Sequence, residues 1–155
     1  MINLKKILIP TDFSEFSQHA IRYGCEFARK FEAKVHLINV VEDLYPIVPE
    51  PGMATALSPP YFQELAESSR RAIESLPASE MAKGVDIERV VVTGTPFLEI
   101  IRYAKEQDID MIVIGTHGRS GLVQALMGSV AEKVVRKATC PVLTVRPEGH
   151  DFVMP

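Results

Sequence analysis

The residues best suited to chemistry in this chain are the glycines of Gly115-Thr116-His117-Gly118-Arg119-Ser120-Gly121 and the pair Gly128-Ser129 that follows them. As a pattern they read G-x2-G-x9-G-S. Glycine lets a backbone turn sharply and lets a ligand approach the main chain closely. Where such a stretch opens a helix, the first N–H groups have no internal partner and the helix dipole is positive, so the combination favours an anion such as phosphate. Glycines also serve a plainer purpose, a strand exit and a break in a loop, and on glycines alone the two readings stand side by side. Other chemistries lack their patterns. No lysine follows a glycine loop in the Walker manner, and no G-x-G-x-x-G is present. Gly118-Arg119-Ser120-Gly121 falls one residue short of the G-x-S-x-G serine elbow. Asp12, His117 and Ser129 can be written as a triad, but nothing in their spacing supports one, and His117 reads as a spectator within the glycine motif.

Five short runs rich in β-branched residues carry these groups: Lys6 to Pro10, Val35 to Val41, Ile87 to Val92, Met111 to Ile114 and Val142 to Val145. Continuous apolar runs, rather than alternating ones, predict strands covered on both faces, the habit of parallel sheets. Between them the period becomes helical. Phe16, Ala20, Tyr23, Phe27 and Phe31 repeat at three and four residues, with Ser14 as N-cap and an end near Glu32. A sparser helix is expected from about Phe62 to Met81, with Pro77 interrupting or ending its regular part. Thr95 before Pro96 predicts an N-cap with proline at the first helical position. Ser129 with Glu132 three residues on predicts a capping box. The resulting β-α-β-α-β-α-β-α-β order calls for right-handed crossovers and an α/β, doubly wound five-stranded parallel sheet of order 3-2-1-4-5. Such a sheet binds ligands outside the carboxyl ends of its strands at the switch point, here between strands 1 and 4. The glycine motif leaves strand 4 at that point. Glu42 to Pro60, with Pro46, Pro49, Pro51, Pro59 and Pro60 among the eleven prolines, is expected to be a long loop on the same edge, serving as a lid, a partner-docking loop or a plain insertion.

The motif resembles the nucleotide site of the universal stress protein family, in its ATP-binding subgroup. Lys6-Ile7-Leu8-Ile9-Pro10-Thr11-Asp12-Phe13-Ser14 resembles the family's first strand and acidic turn, and Lys137-Ala138-Thr139-Cys140-Pro141-Val142-Leu143-Thr144-Val145 its closing helix, proline and strand. The likeness spans residues 1–155 as one domain apart from the proline-rich loop and the tail after Arg146. It implies a Rossmann-like fold of the adenine nucleotide alpha hydrolase-like type. It also implies that Pro10, Thr11 and Asp12 line an adenosine, with Asp12 on the ribose hydroxyls, a role open to a carboxylate because it accepts from both at once; the alternative for Asp12 is helix capping beside Ser14. The backbone of Val40 would meet adenine and Ile114 would pack on the base, unless both are plain core. Gly115, Gly118, Arg119 and Ser120 would surround ribose and phosphates, with Gly128, Ser129 and Val130 closing the phosphate site. Arg119 would supply positive charge, or else be a solvated loop arginine. The ligand implied is ATP, with AMP left open, and any Mg2+ or Mn2+ would be held mainly by phosphates and water. Similar proteins form homodimers through the last strand, here residues 142–146.

Composition bounds the rest. The chain has 155 residues, 46% hydrophobic and 24% charged, enough for one full-sized core. A net charge of −3 gives no global field for nucleic acid. No run approaches the roughly 20 apolar residues of a membrane span. Cys25 and Cys140 form no C-x-x-C pair, so a reducing cytoplasmic setting is expected, with Cys25 half buried on the first helix. Asp108 and Asp110 read as a solvated turn before strand 4. The function expected is a nucleotide-binding regulatory protein with an unidentified protein partner and slow hydrolysis at most. Its alternatives are a nucleotide-free interaction module of the same fold, or a hydrolase or adenylyl-transfer enzyme, which would need a glycine- and serine-rich loop or paired histidines after strand 1 where Thr11-Asp12-Phe13-Ser14 stands.

Overall fold

Aliphatic side chains that alternate direction along each strand need helices on both sides of a sheet to bury them. A computed structural model, describing residues 2–43, 59–118 and 127–146, shows that arrangement. The elements run β1 (Lys6–Pro10), α1 (Glu15–Phe31), β2 (Lys34–Glu42), α2 (Pro59–Glu74), α3 (Ser79–Ala82), β3 (Ile87–Gly94), α4 (Pro96–Glu106), β4 (Met111–Gly115), α5 (Ser129–Lys137) and β5 (Val142–Val145). The sheet order is β3-β2-β1-β4-β5, with every pairing parallel. The expected order and strand positions hold, each observed strand lying within a few residues of its apolar run.

The two faces of the sheet make separate cores. Ile7, Ile9 and Val113 pack with Ala20, Ile21 and Cys25 of α1 and Ile73 of α2. Leu8, Ile112 and Ile114 pack with Ile100 and Ala104 of α4 and Ala131 and Val134 of α5. Each fully buried aliphatic side chain contributes about 1.5–3 kcal/mol by leaving water. Burial is complete along β4 and only partial along the edge strands β3 and β5. Helix α1 lies so low on β1 that a Cβ at Gly24 would collide with the Ile9 side chain. Cys25, expected half buried, is 1% exposed, because this close seating places it in the core.

Three local expectations need correcting. Helix α2 begins at Pro59 rather than Phe62, because prolines fit a first turn whose N–H groups have no helical partner anyway; it ends at Glu74, and Pro77 lies beyond it, before the short α3. Of the expected Glu42–Pro60 loop, Glu42 is strand, Pro59 and Pro60 are helix, and residues 44–58 lie outside the described residues. Asp110 is no solvated turn residue: its Oδ2 accepts the N–H groups of Lys5 at 2.7 Å and Lys6 at 2.9 Å, while Lys6 Nζ donates to the Gln107 carbonyl at 2.7 Å. These bonds tie the start of β1 to the start of β4. Ser14 caps α1 as expected, accepting from the Ser17 N–H, and Glu32 closes that helix in the left-handed region. Thr95 stands at the N-cap of α4 before Pro96, without a side-chain cap bond.

Away from the carboxyl ends, β2 buries His36, which is 3% exposed. Its Nδ1 lies 2.8 Å from the Tyr103 hydroxyl, with the rings edge to face, and its Nε2 has no hydrogen-bond partner among the described residues. Burial pushes the imidazole pKa below its ordinary 6.5 and the Tyr103 phenol up to about 12.

Candidate functional site

The turn from β1 into α1 is held by its own short polar side chains. The Thr11 N–H donates to the Ile38 carbonyl at 2.8 Å, extending the β1–β2 pairing by one residue. The Thr11 hydroxyl oxygen accepts the Phe13 N–H at 3.1 Å and lies 2.9 Å from Ser17 Oγ. Because Ser17 donates its own proton to the Ser14 carbonyl at 2.9 Å, it accepts from Thr11. Asp12 Oδ1 accepts the Ser14 N–H at 3.0 Å and also the Ser14 hydroxyl. Phe13 takes a φ of +66°, a conformation that costs a non-glycine residue about 1–3 kcal/mol. Its side chain packs on the α1-side core and these hydrogen bonds close around it, which fixes the turn.

The two readings of Asp12 are therefore compatible. One carboxylate oxygen braces Ser14 at the helix start, while Oδ2 faces Gly118, where a Cβ would come within 2.6 Å of it. The motif glycines are used for space and not for unusual dihedrals. The left-handed glycines among the described residues are Gly84 and Gly94. A Cβ on Gly115 would stand 3.0 Å from the Phe16 carbonyl oxygen, so this glycine lets the first turn of α1 cross β4. A Cβ on Gly128 would stand 3.2 Å from the Thr116 carbonyl oxygen, and the Gly128 N–H donates to that same oxygen at 2.6 Å. The second half of the motif is thereby stitched to the strand exit.

The capping box expected at Ser129 does not form. Gly128 occupies the N-cap position with an extended backbone, Ser129 is the first helical residue, and no side chain among the described residues caps α5. The reason is the Gly128–Thr116 bond, which sets where the chain turns into the helix. The helix start then faces a cleft through Ser129, Val130 and Ala131, with no cap side chain among the described residues over its leading N–H groups. His117 also lines the cleft, 9% exposed, with Nδ1 3.0 Å from the Thr116 hydroxyl and its ring 6.0 Å from that of Phe16.

The cleft has a volume of about 460 Å³ and lies over the carboxyl ends of β1, β2 and β4, at the switch point of the sheet. That size is within the roughly 300–1,000 Å³ of small-molecule sites. Pro10, Thr11, Asp12, Val40, Ile114, Gly115, Gly118, Gly128, Ser129 and Val130 all line it. Arg119 and Ser120 lie outside the described residues. Among the described lining residues the carboxylates are Asp12 and Glu42, and neither lysine nor arginine is present, so attraction for an anion comes there from the α5 N-terminus. The sequence reading missed the opposite wall, where Asn39, Leu65, Ser69, Pro96 and Ile100 contribute. Asn39 had a legible signal, an amide inside a mostly apolar strand run. Ser69 and Leu65 had none, since α2 reaches the cleft only through the way it packs.

Comparison with known proteins agrees with this architecture. Residues 3–146 match the model of the universal stress protein family. Universal stress protein MJ0531 of Methanocaldococcus jannaschii is 38% identical over 144 residues, covering 92% of this chain and 82% of that protein. The solved structure of MJ0577, from the same organism, superposes with a TM-score of 0.82 at 28% identity, covering 96% of this chain and 99% of that one. A universal stress protein solved in complex with cAMP superposes at 0.61 with 27% identity, covering 94% and 98%. The glycine pattern, the acidic turn after β1 and the 3-2-1-4-5 sheet that brings them together are thus features of a chain that belongs to the universal stress protein family.

Proposed function

We propose that this protein binds ATP in the cleft over β1 and β4 and acts as a regulatory protein whose nucleotide state is read by a partner, with slow hydrolysis at most. The observation that carries the reading is the convergence on one cleft of the Asp12 carboxylate, Gly118 that leaves it room, and the start of α5 behind its glycine N-cap. A Cβ at Gly118 would come within 2.6 Å of Asp12 Oδ2, so glycine at this position lets the carboxylate keep its place in the cleft. In this reading Asp12 accepts from the ribose hydroxyls, Pro10, Val40 and Ile114 flank the base, and the amides of Ser129 and Val130 meet the phosphates together with Gly115, Gly128, Arg119 and Ser120. Mg2+ or Mn2+ would neutralise part of the triphosphate charge, held by phosphate oxygens and water. That a relative is solved with cAMP supports an adenine nucleotide as the ligand class. No helix among the described residues is long and apolar enough to cross a membrane.

The working unit in this proposal is a homodimer joined along β5. The Ile112 N–H donates to the Pro141 carbonyl and the Thr116 N–H to the Val145 carbonyl, each at 2.9 Å. Odd-numbered residues of β5 therefore spend their backbone groups on β4, and Val142 and Thr144 present theirs at the edge. Mass spectrometry of extracts from protein purified without added nucleotide, followed by calorimetric titration with ATP, tests the function. Co-purified adenine nucleotide or micromolar affinity is expected; no bound nucleotide and no affinity below millimolar would overturn it.

A further inference from the structure

Val40, Ile38 and His36 of β2 alternate along the strand onto the face that α4 covers. Val40 and Ile38 line the cleft, and His36 is the next residue below them. On α4, Pro96 and Ile100 line the cleft and Tyr103 follows a turn later, where its hydroxyl meets His36 Nδ1 at 2.8 Å. A polar pair thus continues the apolar wall away from the opening. His36 is 3% exposed, and its Nε2 has no partner among the described residues. In either neutral tautomer one buried nitrogen is left unmet, and protonation would turn it into a charged donor at a much larger cost. The sheet offers that charge an acceptor. His36 is in register with Glu88 of β3, which shares its face with Val90 two residues on. The Glu88 carboxylate is 43% exposed and pairs with Lys34 Nζ at 2.7 Å, which holds that carboxyl below its usual range. On the β1 side His36 is in register with apolar Leu8, and the nearest charge there is Lys6, whose Nζ donates to the Gln107 carbonyl at the C-cap of α4 at 2.7 Å. Burial keeps the imidazole neutral to below its ordinary 6.5, with Lys34 and Lys6 acting in the same sense and Glu88 and Asp86 against it.

We infer that His36 is a proton-operated latch on α4, holding Tyr103 when neutral and leaving it for the Glu88 carboxylate when protonated. The two states use different partners of one side chain, a buried hydroxyl on the helix and a solvated carboxylate toward the β3 edge. Release of Tyr103 loosens the last turns of α4, while the Lys6 bond to Gln107 keeps the end of the helix tethered to β1. Because Ile100 is one turn from Tyr103, the loosening reaches the cleft wall. Mild acid therefore slackens that wall while the sheet remains folded.

Amide hydrogen exchange followed by NMR on the full chain, from about pH 8 to about pH 5 and corrected for the intrinsic pH dependence of exchange, reads the latch without reference to what the cleft binds. Protection of amides 100–104 in α4 is expected to fall about tenfold more than that of amides 20–25 in α1, the loss of one hydrogen bond. His36→Leu removes the titrating group and should hold α4 protection steady across the range. Tyr103→Phe lacks the hydroxyl that the latch grips, and should lower that protection already at the neutral end with little further loss in acid. Equal falls in α4 and α1 would mean global destabilisation and would overturn the latch, as would a pH-dependent α4 in His36→Leu. The change of partner has its own test, independent of how well His36→Leu folds. Glu88→Gln removes the acceptor of the charged state and leaves the Tyr103 bond in place, so the His36 ring signals should titrate at lower pH than in the parent. An unmoved midpoint refutes the exchange.

Discussion

Replacing Gly118 with alanine is the sharpest test of the cradle. The added Cβ would stand 2.6 Å from Asp12 Oδ2, where ordinary contacts begin at 3.4 Å. Gly118 is outside the left-handed region, so alanine meets no backbone strain and the carboxylate has to yield. Asp12 is not free to swing, because its Oδ1 is held by the Ser14 N–H at 3.0 Å and by the Ser14 hydroxyl, and Ser14 in turn caps α1. Displacing it removes a charged acceptor from the ribose site, a loss of about 1.5–3 kcal/mol, or roughly tenfold to a hundredfold in Kd. The cost to stability is the weakening of one cap, about 1 kcal/mol, or roughly 2–4 °C in Tm. Calorimetric titration with ATP and with 2′,3′-dideoxy-ATP isolates the cause. Gly118→Ala should bind ATP no better than the dideoxy analogue, which the substitution should affect little. ATP affinity within twofold of the parent's, or an equal loss for both nucleotides, would refute the assignment of Asp12 to the ribose.

Other substitutions separate architecture from ligand binding. Gly115→Ala places a Cβ against the Phe16 carbonyl oxygen at 3.0 Å, and since that oxygen belongs to a helix backbone packed on the sheet, stability should fall by about 1–3 kcal/mol, read as a lowered midpoint in urea. Thr144→Pro removes an N–H that faces the open edge and should convert a dimer to a monomer by light scattering with the fold intact; Leu143→Pro instead breaks a bond to β4 and should unfold the edge. An unchanged dimer mass for Thr144→Pro would exclude the β5 interface. His36 titrates below its ordinary 6.5 in the folded state because burial disfavours its charged form, with Lys34 of its own strand and Lys6 of β1 adding to the shift and Glu88 of β3 and Asp86 just before that strand opposing it. The unfolded chain therefore binds the proton more readily, and stability is fully present above pH 6.5 and lost as pH falls through the folded pKa. Tm measured from pH 7.5 downward should show this loss in the parent and a shallower one in His36→Gln.

Strand positions, sheet order and most of the site were legible because they follow from local chemistry. Runs such as Lys6–Pro10 and Met111–Gly115 are too continuously apolar to face water on either side, and alternation of strand with helix leaves few ways to join them. Ser14 could be named as a cap since capping depends on residues three apart. The capping box at Ser129 failed for the opposite reason: its local pattern was overruled by a bond from Gly128 to Thr116, on the far side of the motif, that moved the start of the helix. Asp110 was misread in the same way, its partners Lys5 and Lys6 lying a whole domain away in the chain.

By itself, then, the sequence determined a doubly wound sheet and placed the glycine motif and Asp12 at its carboxyl ends, since spacing and periodicity act within a few residues. Only the tertiary structure decided what the glycines are for. Gly115 makes room for α1, Gly118 for the Asp12 carboxylate and Gly128 for the exit of β4, and such uses depend on how closely two backbones approach, which no single stretch of chain records. The same holds for the Asn39 and Ser69 wall: residues on β2 and α2 share one cleft because both cores draw their helices onto the sheet, leaving polar side chains facing the space between.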